Sequence, residues 1–200
     1  GVRTVLLALH YQNEVLHEQG KIRVGLAEKS PDRERVIVAA TELLAQARAA
    51  QAPIVHVQVG YRPDYADLKC NAPILEAVKR MGAMQEGSWG AEFYEGLEPQ
   101  IDHPQEFVVT HKRINAFYGS SLEVILQQLQ AQRLVIAGVA THSVVESTVR
   151  HAVDMGFEVV VVADACGAPP EAHENALKSM ALIAQIHPRL HEFDWSGAAL

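Results

Sequence analysis

Cysteine is scarce in this chain, with only Cys70 and Cys166 among 200 residues. They form no C-x-x-C pair. A disulfide framework is therefore excluded, and a reduced, cytoplasmic setting is expected. Basic residues are also the minority, 17 Lys and Arg against 24 Asp and Glu, for a formal net charge of −7. With no Lys/Arg run there is no clustered basic face to meet a phosphate backbone, so nucleic acid is not an expected partner. No apolar run approaches the ~20 residues of a membrane-spanning helix, and no membrane partner is expected. The first residues lead straight into an apolar strand, so no secretory leader is expected either.

What remains is ordinary globular composition, 48% apolar and 20% charged, enough for a core of normal size. The length fits one domain over residues 1–200. The ten histidines are scattered, and most read as surface or structural residues. Residues 5–9 are uniformly apolar and end in polar His10, Tyr11, Gln12 and Asn13, the pattern of a strand buried on both faces. Ser30 and Pro31 then read as N-cap and first residue of a helix whose apolar positions recur at helical spacing from Val36 to Ala47. Pro53 ends it before a strand over 54–59, giving a β-α-β unit with parallel strands.

From about 60 to 105 the rhythm breaks, apart from a short helix predicted over 73–81. A segment of this length suits a pocket wall, a lid or an oligomer contact. Further strands are predicted over 106–109, 133–138 and 157–162, and a short one near 189–193. Helices are predicted from a Ser120-Ser121-Leu122-Glu123 capping box to about 130, over 143–155, and from Pro169-Pro170 to about 184. The fold class is α/β: a three-layer α/β/α sandwich around a parallel sheet of five or six strands.

In such sheets ligands bind outside the carboxyl ends of the strands. Three ends carry candidate chemistry: His10 with Gln12 and Asn13; residues 110–113 with Phe117 and Tyr118 beyond; and residues 138–144, where a strand turns sharply into a helix N-terminus. A helix N-terminus presents unpaired N–H groups that suit an anion or a developing oxyanion. A lysine beside it, here Lys112, adds a positive charge or, desolvated, a base.

Five motifs in order resemble the isochorismatase-like cysteine hydrolases, which include nicotinamidases, carbamoylsarcosine amidohydrolases and isochorismatases. They are LHYQN at 9–13, GSWGAEF at 87–93, KRINAFYGSSL at 112–122, GVATHSVVESTVR at 138–150 and DAC at 164–166. The resemblance implies that Lys112 is the catalytic lysine. It puts His10 at the family's catalytic Asp and Val144 at its nucleophilic Cys, so the triad is degenerate. It also implies a cis Val139–Ala140 peptide and an oxyanion hole from the backbone N–H groups of Ala140 and Val144. Tyr61, Trp89, Phe117, Tyr118 and His142 are then candidate substrate-binding residues. Ser143 and Glu14 are lesser candidates for a substitute nucleophile and a substitute acid. The stretch GYRPDY at 60–65 lacks the Asp-x-His pair of metal-binding nicotinamidases, so no metal and no other cofactor is expected.

Two functions follow. One is a catalytically impaired protein that binds a small carboxylate or amide, or serves in assembly, as a homo-oligomer (dimer or tetramer). The other is a divergent non-thiol hydrolase of a small amide or vinyl ether, working through Lys112 and His10.

Overall fold

The computed structural model describes residues 1–26, 30–189 and 193–195. Six parallel strands form one sheet in the order β3-β2-β1-β4-β5-β6: β1 Thr4–Leu9, β2 Ile54–Val59, β3 Glu106–His111, β4 Arg133–Gly138, β5 Glu158–Val162 and β6 Gln185–His187. With the helices α1 Asn13–Leu16, α2 Pro31–Ala49, α3 Pro73–Met81, α4 Leu122–Gln128, α5 Glu146–Asp154 and α6 Pro170–Met180 this is the expected three-layer α/β/α sandwich.

Local sequence explains the elements. Every residue of β1 is buried, which is why it reads as an unbroken apolar run. Ser30 caps α2 by accepting from the Asp32 backbone N–H, and Pro31 occupies the first turn, where its missing N–H costs nothing. Val36, Ala39, Ala40, Leu43, Leu44 and Ala47 are its buried stripe. Gly82 closes α3 in the left-handed conformation (φ 64°), which a residue without Cβ adopts without strain.

The chain builds outward from β1 to β2 and β3, then crosses to the other side of β1 for β4, β5 and β6. The order reverses between β1 and β4, and their carboxyl ends flank the crevice such a reversal leaves. The two strands approach closely there. A Cβ on Gly138 would lie 2.2 Å from the Leu9 carbonyl oxygen, so only glycine fits.

The C-terminal part departs from the sequence expectation. α6 ends at Met180 rather than near 184, and the last strand is Gln185–His187 rather than 189–193. Residues 190–192 of that expected strand lie outside the described residues. β3 also runs two residues further than expected, to His111, and that shifts the candidate site.

Candidate functional site

At the β1–β4 switch point the backbone turns into an apolar pocket of about 280 Å³. Its floor holds His10, Val139 and Ala140; Ser143 and Val144 come from the following turn. α3 supplies one wall through Ile74, Val78 and Met81, so part of the 60–105 segment is a pocket wall. His10 sits in the left-handed region (φ 61°), with its N–H bonded to the Val57 carbonyl at 2.9 Å. A non-glycine residue held there needs its surroundings to fix it. The result is a ring turned inward, nearly buried, at the end of the central strand.

That ring meets His111. The two Nε2 atoms are 2.6 Å apart and the rings stack with centroids 4.9 Å apart. Burial drives the His10 imidazole well below its ordinary value, and the neighbouring His111 adds to this. A backbone hydrogen bond at Val139 acts the other way. Burial likewise brings His111 down to about 4. The pair is therefore neutral at physiological pH.

Lys112 is not in this pocket. Its Nζ donates to the Gly60 carbonyl and forms ion pairs with Asp67 at 2.8 Å and Glu86 at 3.0 Å. Desolvation is the largest single effect and lowers its pKa, but the hydrogen bonds and charges of the two carboxylates together outweigh it and raise the pKa, so it stays a cation and not a base. Strand parity is the reason. Val109 and His111 are buried while Val108 and Thr110 are exposed, so the next outward position is 112. The side chain that β3 aims at His10 is His111, which the sequence places at this strand end without marking it out from its neighbours. The period-2 alternation could have identified it.

The other expected residues divide. Tyr61 and His142 line the pocket, and the Tyr61 hydroxyl donates to the Lys112 carbonyl at 2.9 Å. Burial pushes the Tyr61 phenol up to about 12. Phe117 instead stacks on His151 with centroids 4.9 Å apart, and Tyr118 is 68% exposed. Trp89 packs its edge against His17. None of these three lines the pocket. Arg113 does, with its guanidinium donating to the Lys69 carbonyl and the Asn71 amide oxygen.

Glu14, the substitute-acid candidate, is a structural pin. Its carboxylate accepts from the backbone N–H groups of Lys21 and Met84, and a Cβ on Gly90 would lie 2.1 Å from it. Gln12 holds both the N–H and the carbonyl of Val59 and donates to the Ala91 carbonyl. These bonds tie β1, β2 and the 87–93 segment together behind the site.

Val144 is buried in a π-helical turn, Thr141–Val145, that leads into α5. The Val139–Ala140 peptide before it is cis. No thiol reaches the pocket. Cys166 is fully buried, its Sγ directed at the Val162 carbonyl, and burial pushes the thiol up to about 12. Cys70 is half-buried beside the Leu68 and Leu75 carbonyls. Among the described residues no three His, Cys, Asp or Glu side chains gather to hold a metal, and no helix is long and apolar enough to cross a membrane.

Comparison with known proteins agrees with this architecture. The ureidoacrylate amidohydrolase RutB of Methylorubrum extorquens is 29% identical over 196 residues, 88% of this chain and 75% of the relative. An Arabidopsis thaliana protein named "Probable inactive nicotinamidase" is 34% identical over 120 residues, 59% of each chain. The crystal structure of an isochorismatase family protein from Desulfovibrio vulgaris superposes with a TM-score of 0.81 at 26% identity, covering 93% of this chain and 94% of the other. The isochorismatase domain model matches residues 4–188, nearly the whole length, and the chain belongs to the isochorismatase family.

Proposed function

We propose that this chain is a catalytically impaired member of its family that binds a small carboxylate or amide in the pocket between the ends of β1, β3 and β4. The observation that carries this reading is the contact of His10, which lines the pocket with Val144, with the buried ring of His111 2.6 Å away. By resemblance, residue 10 should be the acid and residue 144 the nucleophile. Position 111, which faces residue 10, is then where an ammonium would have to stand. Two neutral imidazoles and an isopropyl group supply no carboxylate, no ammonium and no thiol there. Covalent catalysis needs an activated nucleophile and acid catalysis a proton donor matched to working pH. The name of the Arabidopsis relative points the same way. The amidohydrolase name of the RutB relative keeps amides within the ligand class. The hydrolase alternative through Lys112 loses its support, because that ammonium is occupied by Asp67 and Glu86 outside the pocket.

The test restores the missing groups. His10→Asp with Val144→Cys supplies a carboxylate and a thiol but leaves no cation facing them. Adding His111→Lys supplies it. A thiol at a helix N-terminus beside an ammonium has a lowered pKa, so the introduced thiol of the triple variant should react with iodoacetamide at least about tenfold faster than that of the double variant. Mass spectrometry separates it from Cys70 and Cys166. An equally slow thiol in a triple variant that still melts cooperatively would mean that Val144 is core packing and this turn is no catalytic elbow.

A further inference from the structure

A gap of 2.6 Å between two ring nitrogens requires a hydrogen between them, because two lone pairs would repel. The His10 ring also bonds the Val139 backbone, which takes its other nitrogen as a donor. The hydrogen between the rings is then carried by His111 Nε2, and His111 Nδ1 is left as a bare acceptor. That atom is buried and makes no hydrogen bond. The Asn115 backbone lies on its side and favours the protonated ring. One added proton would complete the chain: Val139, His10, His111 and Asn115 would then be joined by three hydrogens on four ring nitrogens. Only a counter-charge is lacking.

No group among the described residues supplies it. Among the described residues no Asp or Glu lines the pocket, although the chain carries an excess of acids. The Glu14 carboxylate is held by backbone N–H groups, and Asp67 and Glu86 hold Lys112 on the outer side of β3. Besides His10, the charged or titratable groups that line the pocket among the described residues are Arg113, His142 and Tyr61, none of them a carboxylate. Apart from these polar groups and Ser143 the wall is apolar, with α3 contributing Ile74, Val78 and Met81.

We propose that the pocket takes small apolar monocarboxylates, each bound together with one added proton that the His10–His111 pair takes up at His111 Nδ1. The proposal rests on the ligand-binding function above and adds to it the ligand's charge and a proton stoichiometry.

Titration calorimetry of the wild-type protein tests it. The probes are acetate, isobutyrate, cyclohexanecarboxylate and benzoate, each beside its primary amide, in two buffers of different ionisation enthalpy. At least one carboxylate should bind more tightly than its amide, with about one proton taken up per ligand. Its Kd should rise about tenfold per pH unit between about pH 7 and 8, where the carboxylate itself stays ionised. In the same complex the nitrogen-15 resonance of His111 Nδ1 should move to the protonated range, a readout that needs no variant. A His111→Gln variant that melts cooperatively should bind the same carboxylate without proton uptake.

Carboxylate binding with no proton uptake would overturn the proposal. So would binding of the amides alone, which leaves the ligand-binding function standing, and binding of none of the panel, which removes both. Turnover of a panel amide would strike at the ligand-binding function, while the proton count still decides the present proposal.

Discussion

Acidification should expose the neutral histidine pair as a stability liability. In the unfolded chain both imidazoles titrate near 6.5; in the fold His111 is lowered to about 4 and His10 is lowered as well. Both folded values lie below the unfolded one, so the unfolded chain binds more protons in this window, and stability falls as pH drops through it. For His111 alone, integrating from pH 7.5 to 4.5 gives a loss of about 2.5 kcal/mol. His10 adds to it in the same direction. Urea denaturation followed by far-ultraviolet circular dichroism at the two pH values measures this loss. His56 and His173 are lowered too, so wild type must be compared with His111→Gln, which keeps their share and the burial part of that of His10 but removes that of His111. The variant should lose about 2 kcal/mol less than wild type over the same range. Equal losses in the two proteins would refute the claim that His111 is buried in its neutral form.

Glu106 sits behind the sheet with Arg48 paired to both carboxylate oxygens at 2.8 and 2.9 Å, and His56 at 2.8 Å. These bonds and the Gln100 N–H hold its carboxyl down to about 2 against the cost of burial. Glu106→Leu strands the Arg48 charge and should cost about 3 kcal/mol, read as a lowered denaturation midpoint at neutral pH. Ligand affinity in the pocket should stay unchanged, measured on whichever carboxylate or amide the protein binds. With a thiol whose pKa is about 12 and no exposure, Cys166 should resist Ellman's reagent until the protein unfolds, while Cys70 reacts slowly. Ligand protection of either thiol would mean that it reaches the pocket.

Most of the architecture was legible because a parallel sheet buried on both faces writes itself as short apolar runs between helical patterns. β1, β2, β4 and β5 carry that signature. β6 does not: three residues, exposed or half-buried at the sheet edge, look no different from the frayed end of α6. His10 and the turn at Val144 line the crevice at the strand ends, where their place in the chain puts them. The lysine was misread because residue type outweighed geometry. A Lys in a motif draws attention, yet on β3 the buried parity belongs to Val109 and His111. The aromatic wall was overread for a related reason. Phe117, Tyr118 and Trp89 lie near the motifs in sequence, but packing takes Phe117 to His151 and leaves the other two at the surface.

The most direct measurement is hydrolysis by the wild-type protein at enzyme concentrations equal to the substrate. Primary amides and an N-carbamoyl compound would be followed by ammonia release, and a vinyl ether by carbonyl formation. With His10 and Val144 lining the pocket and His111 buried against His10, product should not rise above the buffer rate at any pH from about 5 to 9, the range over which imidazoles and thiols change charge. Steady turnover that His10→Gln or His111→Gln abolishes, in variants that still melt cooperatively, would contradict the account and make the histidine pair catalytic.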